Sequence, residues 1–365
     1  MRKGAAEVLI AGAGVWGLAA ALECARRGLS VLVVEAAAPG AGASGGLVGA
    51  LSPHAPHPWS ARKAAQRATL AAAPAFWAGV AAESGVDPGY AVVGRAIPLA
   101  DPAARDRAEA AAAAAARHWA PDTWRLAAAD SLPGWLAPAA APHGLVLETL
   151  SARIVPRRAV AAFAAALAAR GVEIVPDWPV TAVEDGALRS GSRRLSARLV
   201  VLATGAGTRA LVPDLPLAAV KGQAALVAAA APPGAPLIGA GDLWIVPRPD
   251  GVAVGATAEP EWTDPAATDP RLDALVARAR ALCPALADAP IVERWAGLRP
   301  RGARPDPLIA RVSPRVLVAT GGFRTGLATA PQAGALVAAI AAGETPDLPP
   351  GWSLAEHRAT AAKSR

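Results

Sequence analysis

The chain is poor in cysteine and lysine, and each shortage excludes a class of protein. Its two cysteines, Cys24 and Cys283, are too few for a disulfide framework and too far apart for a C-x-x-C metal site. A chain without disulfides suits a reducing compartment, so we expect a cytoplasmic protein. Only four of its 36 basic residues are lysines, and no Lys/Arg-rich run alternates with aromatic residues. The net charge of +7 therefore indicates a solvated arginine-rich surface rather than a nucleic-acid-binding face.

Long apolar runs are also absent from the sequence. The first candidate, Val8 to Leu22, is too short to span a bilayer, and no other run of 18 apolar residues is free of proline, glycine or charge. We therefore expect no transmembrane segment and no signal peptide. The pair His54 and His57 lies between prolines, without the spacing of a helical metal-binding face. We expect no metal site.

The stretch 8–46 contains the strongest motif of the sequence. An apolar strand, Val8 to Ala11, leads into a Gly-x-Gly-x-x-Gly turn, an Ala/Leu-rich helix and a second strand, Ser30 to Val34. In this motif the first glycine permits the tight turn, the second lets the backbone approach a pyrophosphate, and the third lets the helix pack on the sheet. The helix start favours phosphate charge. Glu35 follows the first glycine by 23 residues, where a carboxylate accepts hydrogen bonds from a ribose diol. The stretch predicts a dinucleotide site, with NAD and FAD both open.

The rest of the chain returns to the same sheet twice. An apolar strand ends in small residues at Arg198 to Gly207, and another, Val316 to Thr320, is followed by Gly321-Gly322 and a helix to about Ala342. Two β-rich excursions separate these visits, and the second contains a hairpin over 242–259 around the turn formers Pro249-Asp250-Gly251. Residues 171–186 predict two short strands that extend the nucleotide-binding sheet. Turn signals fill 119–150, and further helices are predicted over 60–84, 102–118, 159–170 and 269–282.

Taken together, these segments resemble the FAD-dependent D-amino acid oxidase superfamily, which includes glycine oxidase, sarcosine oxidase and D-amino acid dehydrogenases. The matching segments cover most of the chain: the glycine motif with Glu35, GASGG (42–46), ATGAG (203–207), AGLRP (296–300) and ATGGFRTG (319–326). The resemblance implies an α/β fold, in which a Rossmann-like FAD-binding domain of the glutathione-reductase type is interleaved with an α+β substrate domain built on an antiparallel sheet. Residues 1–88, 151–217 and 296–350 would form the FAD-binding domain, and 89–150 and 218–295 the substrate domain.

The resemblance also implies a cofactor and its binding residues. FAD would be bound without a covalent link, since neither cysteine falls at a matched attachment position. Its pyrophosphate would lie on the first helix and its isoalloxazine ring between the two domains. A helix beginning near Thr325 would stabilise negative charge at the flavin N1–C2=O edge. The implied pyrophosphate residues are Gly12, Gly14, Val15, Trp16 and Gly17, and the ribose residues are Glu35 and Ala36. Ser44, Gly45 and Gly46 would lie near the middle of the cofactor and its flavin ring, and Val180 at the adenine. Thr204 and Gly205 are also implied, and the residues at the pyrimidine edge would be Gly322, Phe323, Arg324, Thr325, Gly326 and Leu327.

The implied reaction is hydride transfer from an amine-bearing carbon to flavin N5, which leaves an imine for water to hydrolyse. Arg299 is the first candidate to clamp a substrate carboxylate, because a guanidinium pairs bidentately with a carboxylate, and Arg324 is the second. Two further candidates are Trp244, where such oxidases often have tyrosine, and Lys221, where a cation near the flavin would assist oxygen reduction. Tyr90 is the only tyrosine of the chain.

The main interpretation is therefore an FAD-dependent oxidase or dehydrogenase acting on a small amine or amino acid, with oxygen or a quinone as electron acceptor. Two alternatives stay open. GASGGLVGALSP is also similar to the oxidase half of the bifunctional enzyme that matures 5-methylaminomethyl-uridine in tRNA, and only that alternative implies a nucleic-acid partner. The other alternative is a flavin-binding protein without catalysis. The additional arginines Arg301 and Arg304 after the LRP segment favour a larger or more anionic substrate, unless they reflect composition alone.

Overall fold

A computed structural model describes residues 6–363 of the chain. Within that range the α-helices are α1 (Val15–Arg26), α2 (Ala61–Ser84), α3 (Pro102–His118), α4 (Pro156–Ala169), α5 (Thr208–Leu211), α6 (Pro270–Leu282), α7 (Gly326–Ala341) and α8 (Leu354–Lys363). The strands are β1 (Val8–Ala11), β2 (Val31–Val34), β3 (Ala50–Leu51), β4 (Ala91–Val92), β5 (Arg95–Pro98), β6 (Trp124–Ala127), β7 (Leu145–Glu148), β8 (Ala152–Arg153), β9 (Glu173–Val175), β10 (Ala182–Glu184), β11 (Ala187–Ser190), β12 (Arg193–Ser196), β13 (Leu199–Leu202), β14 (Leu217–Val227), β15 (Leu237–Ala240), β16 (Leu243–Arg248), β17 (Gly251–Gly255), β18 (Ile291–Gly302), β19 (Leu308–Ser313) and β20 (Val316–Thr320).

Local chemistry explains where the predicted helices begin. The Asp101 carboxylate accepts a hydrogen bond from the Ala104 amide at 2.7 Å, and Pro102 starts α3. Asp269 and Pro270 start α6 in the same way. The predicted helices and the strand at 316–320 are confirmed, with shifts of a few residues at their ends.

A six-stranded sheet forms the first layer, in the order β19-β20-β13-β1-β2-β9. Its strands are parallel except β19, which runs antiparallel to β20. β1 and β13 are buried at every residue, as parallel strands covered on both faces must be. Helices α1, α2, α4 and α7 cover one face, and the three-stranded sheet β10-β11-β12 covers the other. The three predicted visits to one sheet are confirmed.

The second layer is an eight-stranded sheet in the order β18-β14-β17-β16-β15-β5-β7-β6. Its neighbouring strands are antiparallel except β15 and β5, which are parallel. Helix α6 packs on one face, while Leu47 and Val48, which follow the GASGG segment, pack on the other. The α/β class with an antiparallel second sheet is confirmed. The face that contacts Leu47 is therefore turned toward the glycine motif's own domain.

Two strand predictions need correction. Of the two strands expected to extend the nucleotide-binding sheet, only β9 does so, because the turn at Asp185-Gly186 folds β10 back onto β11. The segment 119–150, predicted as turns, contributes β6 and β7, which pair with each other in the second sheet. The domain division itself stays a prediction. β18 pairs with β14 along its length, from Ile291 to Gly302, so it runs through the boundary expected at residue 296.

Between residues 6 and 363, no helix is both long and apolar enough to cross a bilayer. Over the same range, no three His, Cys, Asp or Glu side chains are grouped as metal ligands. His54 Nδ1 lies 2.6 Å from Gln66 Oε1, an ordinary hydrogen bond of an exposed side chain.

Candidate functional site

The glycine turn between β1 and α1 has no room for side chains. Gly12 has φ +101°, and a Cβ there would come within 2.5 Å of the Ala203 carbonyl oxygen at the end of β13. A Cβ on Gly17 would overlap the Gly12 carbonyl oxygen. Each position therefore requires glycine, as the motif predicts.

The start of α1 retains free hydrogen-bond donors. The Ser44 hydroxyl accepts the Val15 amide hydrogen at 3.0 Å, and Leu18 is the first residue to bond back to Gly14. Within residues 6–363 the amides of Trp16 and Gly17 have no acceptor. Two unpartnered amides at a helix N-terminus, beside glycines that let a ligand approach, fit a pyrophosphate.

Glu35 lies at the end of β2, next to the same turn. Its Oε2 accepts the Ala13 amide hydrogen at 2.6 Å and its Oε1 accepts that of Ala37 at 3.1 Å. These bonds orient the carboxylate, which has further lone pairs for a ribose diol. Ala36 follows it and is exposed.

The GASGG segment forms a short 3-10 turn, Ala43–Gly45, that closes over the start of α1. A Cβ on Gly45 would lie 2.5 Å from the Gly40 carbonyl oxygen, and one on Gly46 would lie 3.3 Å from the Trp295 ring. The turn thus brings the first domain's backbone against β18 of the second sheet.

Two more predicted positions lie at the edges of this region. Gly205, which follows β13 with φ +57°, accepts a hydrogen bond from Thr320 Oγ1 at 3.2 Å, and Thr204 Oγ1 lies 3.0 Å from Thr208 Oγ1. The Thr320 bond joins the ends of β13 and β20, and the Thr204 contact lies within the segment that follows β13. Val180 lies between β9 and β10, and its amide and carbonyl have no partner among residues 6–363. Its backbone is free to meet an adenine edge.

The start of α7 meets the start of α1. Trp16 Nε1 donates to the Gly326 carbonyl at 2.9 Å, and a Cβ on Gly322 would lie 3.2 Å from that nitrogen. Thr325 bonds back to Gly322, and within the described chain the amides of Gly326 and Leu327 have no acceptor. The start of α7 therefore offers free amide donors next to those at the start of α1.

Arg299, on β18, is a half-buried charge whose hydrogen bonds are incomplete. One guanidinium nitrogen donates to the Thr257 carbonyl, while Nε is buried and has no partner within residues 6–363. The guanidinium lies against Gly222 of β14, where a Cβ would come within 2.5 Å of it. Burial and the charge of Arg324 lower the pKa of Arg299 to about 10, so it stays protonated at neutral pH.

Phe323 lies at the centre of three arginines. The guanidinium carbons of Arg299, Arg301 and Arg324 lie 5.1, 5.6 and 5.6 Å from the centre of its ring. The Phe323 amide donates to the Pro300 carbonyl at 3.0 Å, which fixes the loop to β18. The sequence-predicted pair Arg299 and Arg324 is thus brought together, and Arg301 joins it. Its place two residues after Arg299 on one strand was the signal that it shares that face.

Lys221 is buried in a network that sequence reasoning missed. Its Nζ lies 3.3 Å from Asp269 Oδ2 and 3.8 Å from Glu259 Oε2. Gln223 donates to Glu259 Oε1 at 2.8 Å and accepts the Asp269 amide hydrogen at 2.7 Å. Gln223 also bonds Thr257, the partner of Arg299. The network therefore reaches Arg299 through Thr257. A role for Lys221 toward oxygen stays a prediction.

Trp244, on β16, packs in the apolar cluster with Leu47 and Trp295. The Arg95 guanidinium lies 5.6 Å from its ring centre, and Arg95 Nε is 3.4 Å from Glu148 Oε2. Arg95 and Glu148 were missed as well. A charged residue within the otherwise apolar segment 90–98 was the available signal.

Known proteins resemble this chain in sequence and in fold. The family model described as FAD dependent oxidoreductase matches residues 7–340. A glycine oxidase from Pseudomonas aeruginosa is 35% identical over 158 residues, which is 41% of this chain and 43% of that protein. The chain thus aligns with less than half the length of the curated glycine oxidases it matches.

Two solved structures share the fold over nearly the whole chain. A glycine oxidase from Geobacillus kaustophilus superposes with a TM-score of 0.84 at 25% identity, covering 95% of this chain and 98% of its own. An L-proline dehydrogenase from P. horikoshii superposes with a TM-score of 0.82 at 18% identity, covering 97% and 98%. The second likeness concerns the fold only.

Proposed function

The chain belongs to the family of FAD-dependent oxidoreductases, and from that premise we propose that it oxidises the C–N bond of an amine or amino acid of the glycine, sarcosine or D-amino acid type. The bound FAD supplies the acceptor for a hydride from the carbon that carries nitrogen. The protein's own contribution is then orientation and charge, and no nucleophilic side chain is needed.

A single observation supports this proposal: Arg299 Nε is buried and has no hydrogen-bond partner in the part of the chain that the structure describes. Burying a charge without full pairing is costly, and a substrate carboxylate would offset that cost with charge-assisted hydrogen bonds. We propose that Arg299 holds the carboxylate and thereby directs the adjacent C–N bond toward the flavin. Gln223 and Thr257 act as positioning residues, because the Gln223 amide donates to the Thr257 hydroxyl and the Thr257 carbonyl accepts a hydrogen bond from Arg299.

The remaining contacts divide the cofactor between the two helix starts. We propose that the Trp16 and Gly17 amides bind the pyrophosphate, and that the Gly326 and Leu327 amides bind the pyrimidine edge. Trp244, Trp295 and Leu47 form the apolar side that keeps water from the reacting carbon. We also propose a reducing compartment, since Cys24 and Cys283 are buried free thiols.

Anaerobic flavin bleaching tests the proposal. The purified holoenzyme is mixed without oxygen with glycine, sarcosine, D-alanine or methylamine, and the visible flavin absorbance is followed. We expect bleaching by at least one amino acid, faster than by methylamine, which lacks a carboxylate. Bound FAD with no bleaching by any of these amines would leave the alternative of a flavin-binding protein without catalysis.

Two finer questions are decided by the same assay. Bleaching only by RNA that carries a carboxymethylaminomethyl group would favour the tRNA-modifying oxidase. Re-oxidation by oxygen or by a quinone would then separate an oxidase from a dehydrogenase.

A further inference from the structure

The three arginines around Phe323 carry more positive charge than a single substrate carboxylate can neutralise. Arg299 and Arg301 are two residues apart on β18 and so point to the same side of the sheet, and Arg324 approaches from the loop before α7. Phe323 has φ +39°, a conformation uncommon for a residue with a large side chain, and its amide is anchored to Pro300. The ring is therefore held in a fixed position, with the three guanidinium groups around it.

The charge of this group is balanced only in part by neighbouring acids, since the charge of Glu259 raises the pKa of Arg299 but less than burial and Arg324 lower it. Among residues 6–363, neither Arg301 nor Arg324 forms an ion pair within 4 Å. Other arginines of the chain do, for example Arg26, Arg278 and Arg294. Asp242 is close enough to Arg324 for that charge to lower its pKa, but its carboxylate is already bound by Arg278 at 2.8 Å. Glu259 is engaged by Gln223 and Arg271. The site thus has three positive charges, and one carboxylate would neutralise only one of them.

We propose that Arg301 and Arg324 bind a second acid group of the substrate, so that the preferred substrate is an amine with two acid groups rather than a simple monocarboxylate. This inference rests on the proposed function, because it assigns the first acid group to Arg299. Three like charges near one ring repel each other, and a dianion relieves that repulsion where a monoanion relieves part of it. Arg301 and Arg324 are exposed, so their guanidinium groups are accessible to a ligand that extends from Arg299 toward solvent.

A pair of ligands that cannot be oxidised isolates binding from catalysis. Diglycolate has two carboxylates, and methoxyacetate is the same ether with one. Their dissociation constants for the holoenzyme are measured from the change in the flavin spectrum and, independently, by calorimetry. We expect diglycolate to bind at least about tenfold more tightly, since a hydrogen bond to a charged group is worth that factor or more. The ratio should fall as salt is raised.

Variants on one strand assign the effect to a residue. In Arg301→Gln the affinity for diglycolate should fall about tenfold while that for methoxyacetate stays within about twofold, and Arg301→Lys should recover part of the loss. The matched control is Arg294→Gln, which removes an exposed arginine of the same strand that is paired with Asp273. It should leave both affinities unchanged. Circular dichroism and bound flavin establish that each variant is folded.

Turnover separates this inference from the proposed function. We expect kcat/KM for N-(carboxymethyl)glycine to exceed that for sarcosine about tenfold in the parent and to approach it in Arg301→Gln. Equal values for the two substrates, together with equal affinity for the two ethers, would overturn the inference while flavin reduction by sarcosine upheld the proposed function. Bleaching by no amine would overturn the proposed function. N-(phosphonomethyl)glycine, tested in the same series, distinguishes a phosphonate from a carboxylate as the second acid group.

Discussion

At the scale of single residues, the hydrogen bonding of Arg299 is the basis for the carboxylate role that we propose for it. Its side chain donates to a backbone carbonyl that cannot carry a full negative charge, so its own charge is balanced only in part. A carboxylate on the substrate, as we propose, would complete that balance. The same side chain has little space to move, because Gly222 on the next strand accommodates it only by lacking a side chain.

Removing the Arg299 guanidinium tests that balance. For Arg299→Ala we expect KM for an amino acid substrate to rise about tenfold to a hundredfold, which corresponds to one charged hydrogen bond, with FAD still bound. Steady-state kinetics across a glycine or sarcosine series, with flavin content measured by absorbance, checks this. Arg294→Ala serves as the control of equal chemistry on the same strand. An unchanged KM in Arg299→Ala would reject the clamp.

The residues of the glycine turn were predictable because their roles are local. Gly12, Gly17 and Glu35 act within 24 residues of one another, so a motif written in one stretch describes them. Arg301 was singled out from its place after the LRP segment, but its contact with the Phe323 ring was not predictable. Gln223 was not predictable as part of a site. Both contacts depend on which elements become neighbours, and Gln223 contacts Glu259 and Asp269, which are distant in the chain.

At the scale of elements, α1 and α7 pack so closely that their N-termini are in contact. A Cβ on Gly334 of α7 would lie 2.7 Å from the Ala19 carbonyl oxygen of α1. The contact brings the Gly326 carbonyl to the Trp16 indole, so the spacing between the two helices sets the spacing between the two groups of free amides. A change in this packing would therefore alter the cofactor site from a distance.

Two helical glycines should respond with opposite sign to the same substitution. Gly334→Ala should lower the free energy of unfolding by about 1–3 kcal/mol, because the added methyl group overlaps backbone that cannot move freely. Gly79→Ala in α2 should raise it by about 0.5–1 kcal/mol, since alanine favours helix and its Cβ would have only an Arg26 nitrogen nearby, at 3.7 Å. Urea unfolding followed by tryptophan fluorescence measures both. A stabilised Gly334→Ala would contradict the close packing.

Helices were predictable because their signals lie in one continuous stretch of sequence, whereas short strands that depend on a partner strand were less predictable. Helix α3 was predicted at 102–118, as found, because its capping residue and alanine run are contiguous. Strands β6 and β7 were missed, since each is short and gains its stability by pairing with the other across a loop from 128 to 144. The length of β14, 11 residues, likewise follows from its long partner β18 rather than from its own sequence.

At the scale of the whole molecule, the last described helix, α8, is held against the segment before β19 by a buried histidine. His357 of α8 has no exposed surface, and its Nε2 lies 3.1 Å from the Pro307 carbonyl while its Nδ1 accepts the Arg304 amide hydrogen at 3.3 Å. This pattern requires a neutral ring with the proton on Nε2. Burial lowers the pKa of His357, with Arg304 acting in the same direction and Asp306 and Glu356 opposing it.

Acid should therefore weaken the docking of α8. Because the pKa of His357 is lowered on folding, its contribution to stability is complete above the pKa of a free histidine, roughly 6.5, and decreases as the pH falls below that value. We expect His357→Gln to flatten the decline in the melting temperature between about pH 7 and pH 5. His57→Gln, which changes an exposed histidine, should preserve the parent slope. Parallel slopes for the parent and His357→Gln would contradict a neutral buried ring.

Strand β1 lies between β2 and β13. Its second neighbour begins at Leu199, about 190 residues after β1 itself, and α7 follows more than 100 residues later. At roughly 5–20 residues per second of synthesis, an apolar strand and its helix wait about ten to forty seconds for that neighbour. During translation the apolar β1 and α1 thus remain without one neighbouring strand of their sheet for that time. The amides at the start of α7, which we propose for the pyrimidine edge, are synthesised later still, after residue 325 of 365.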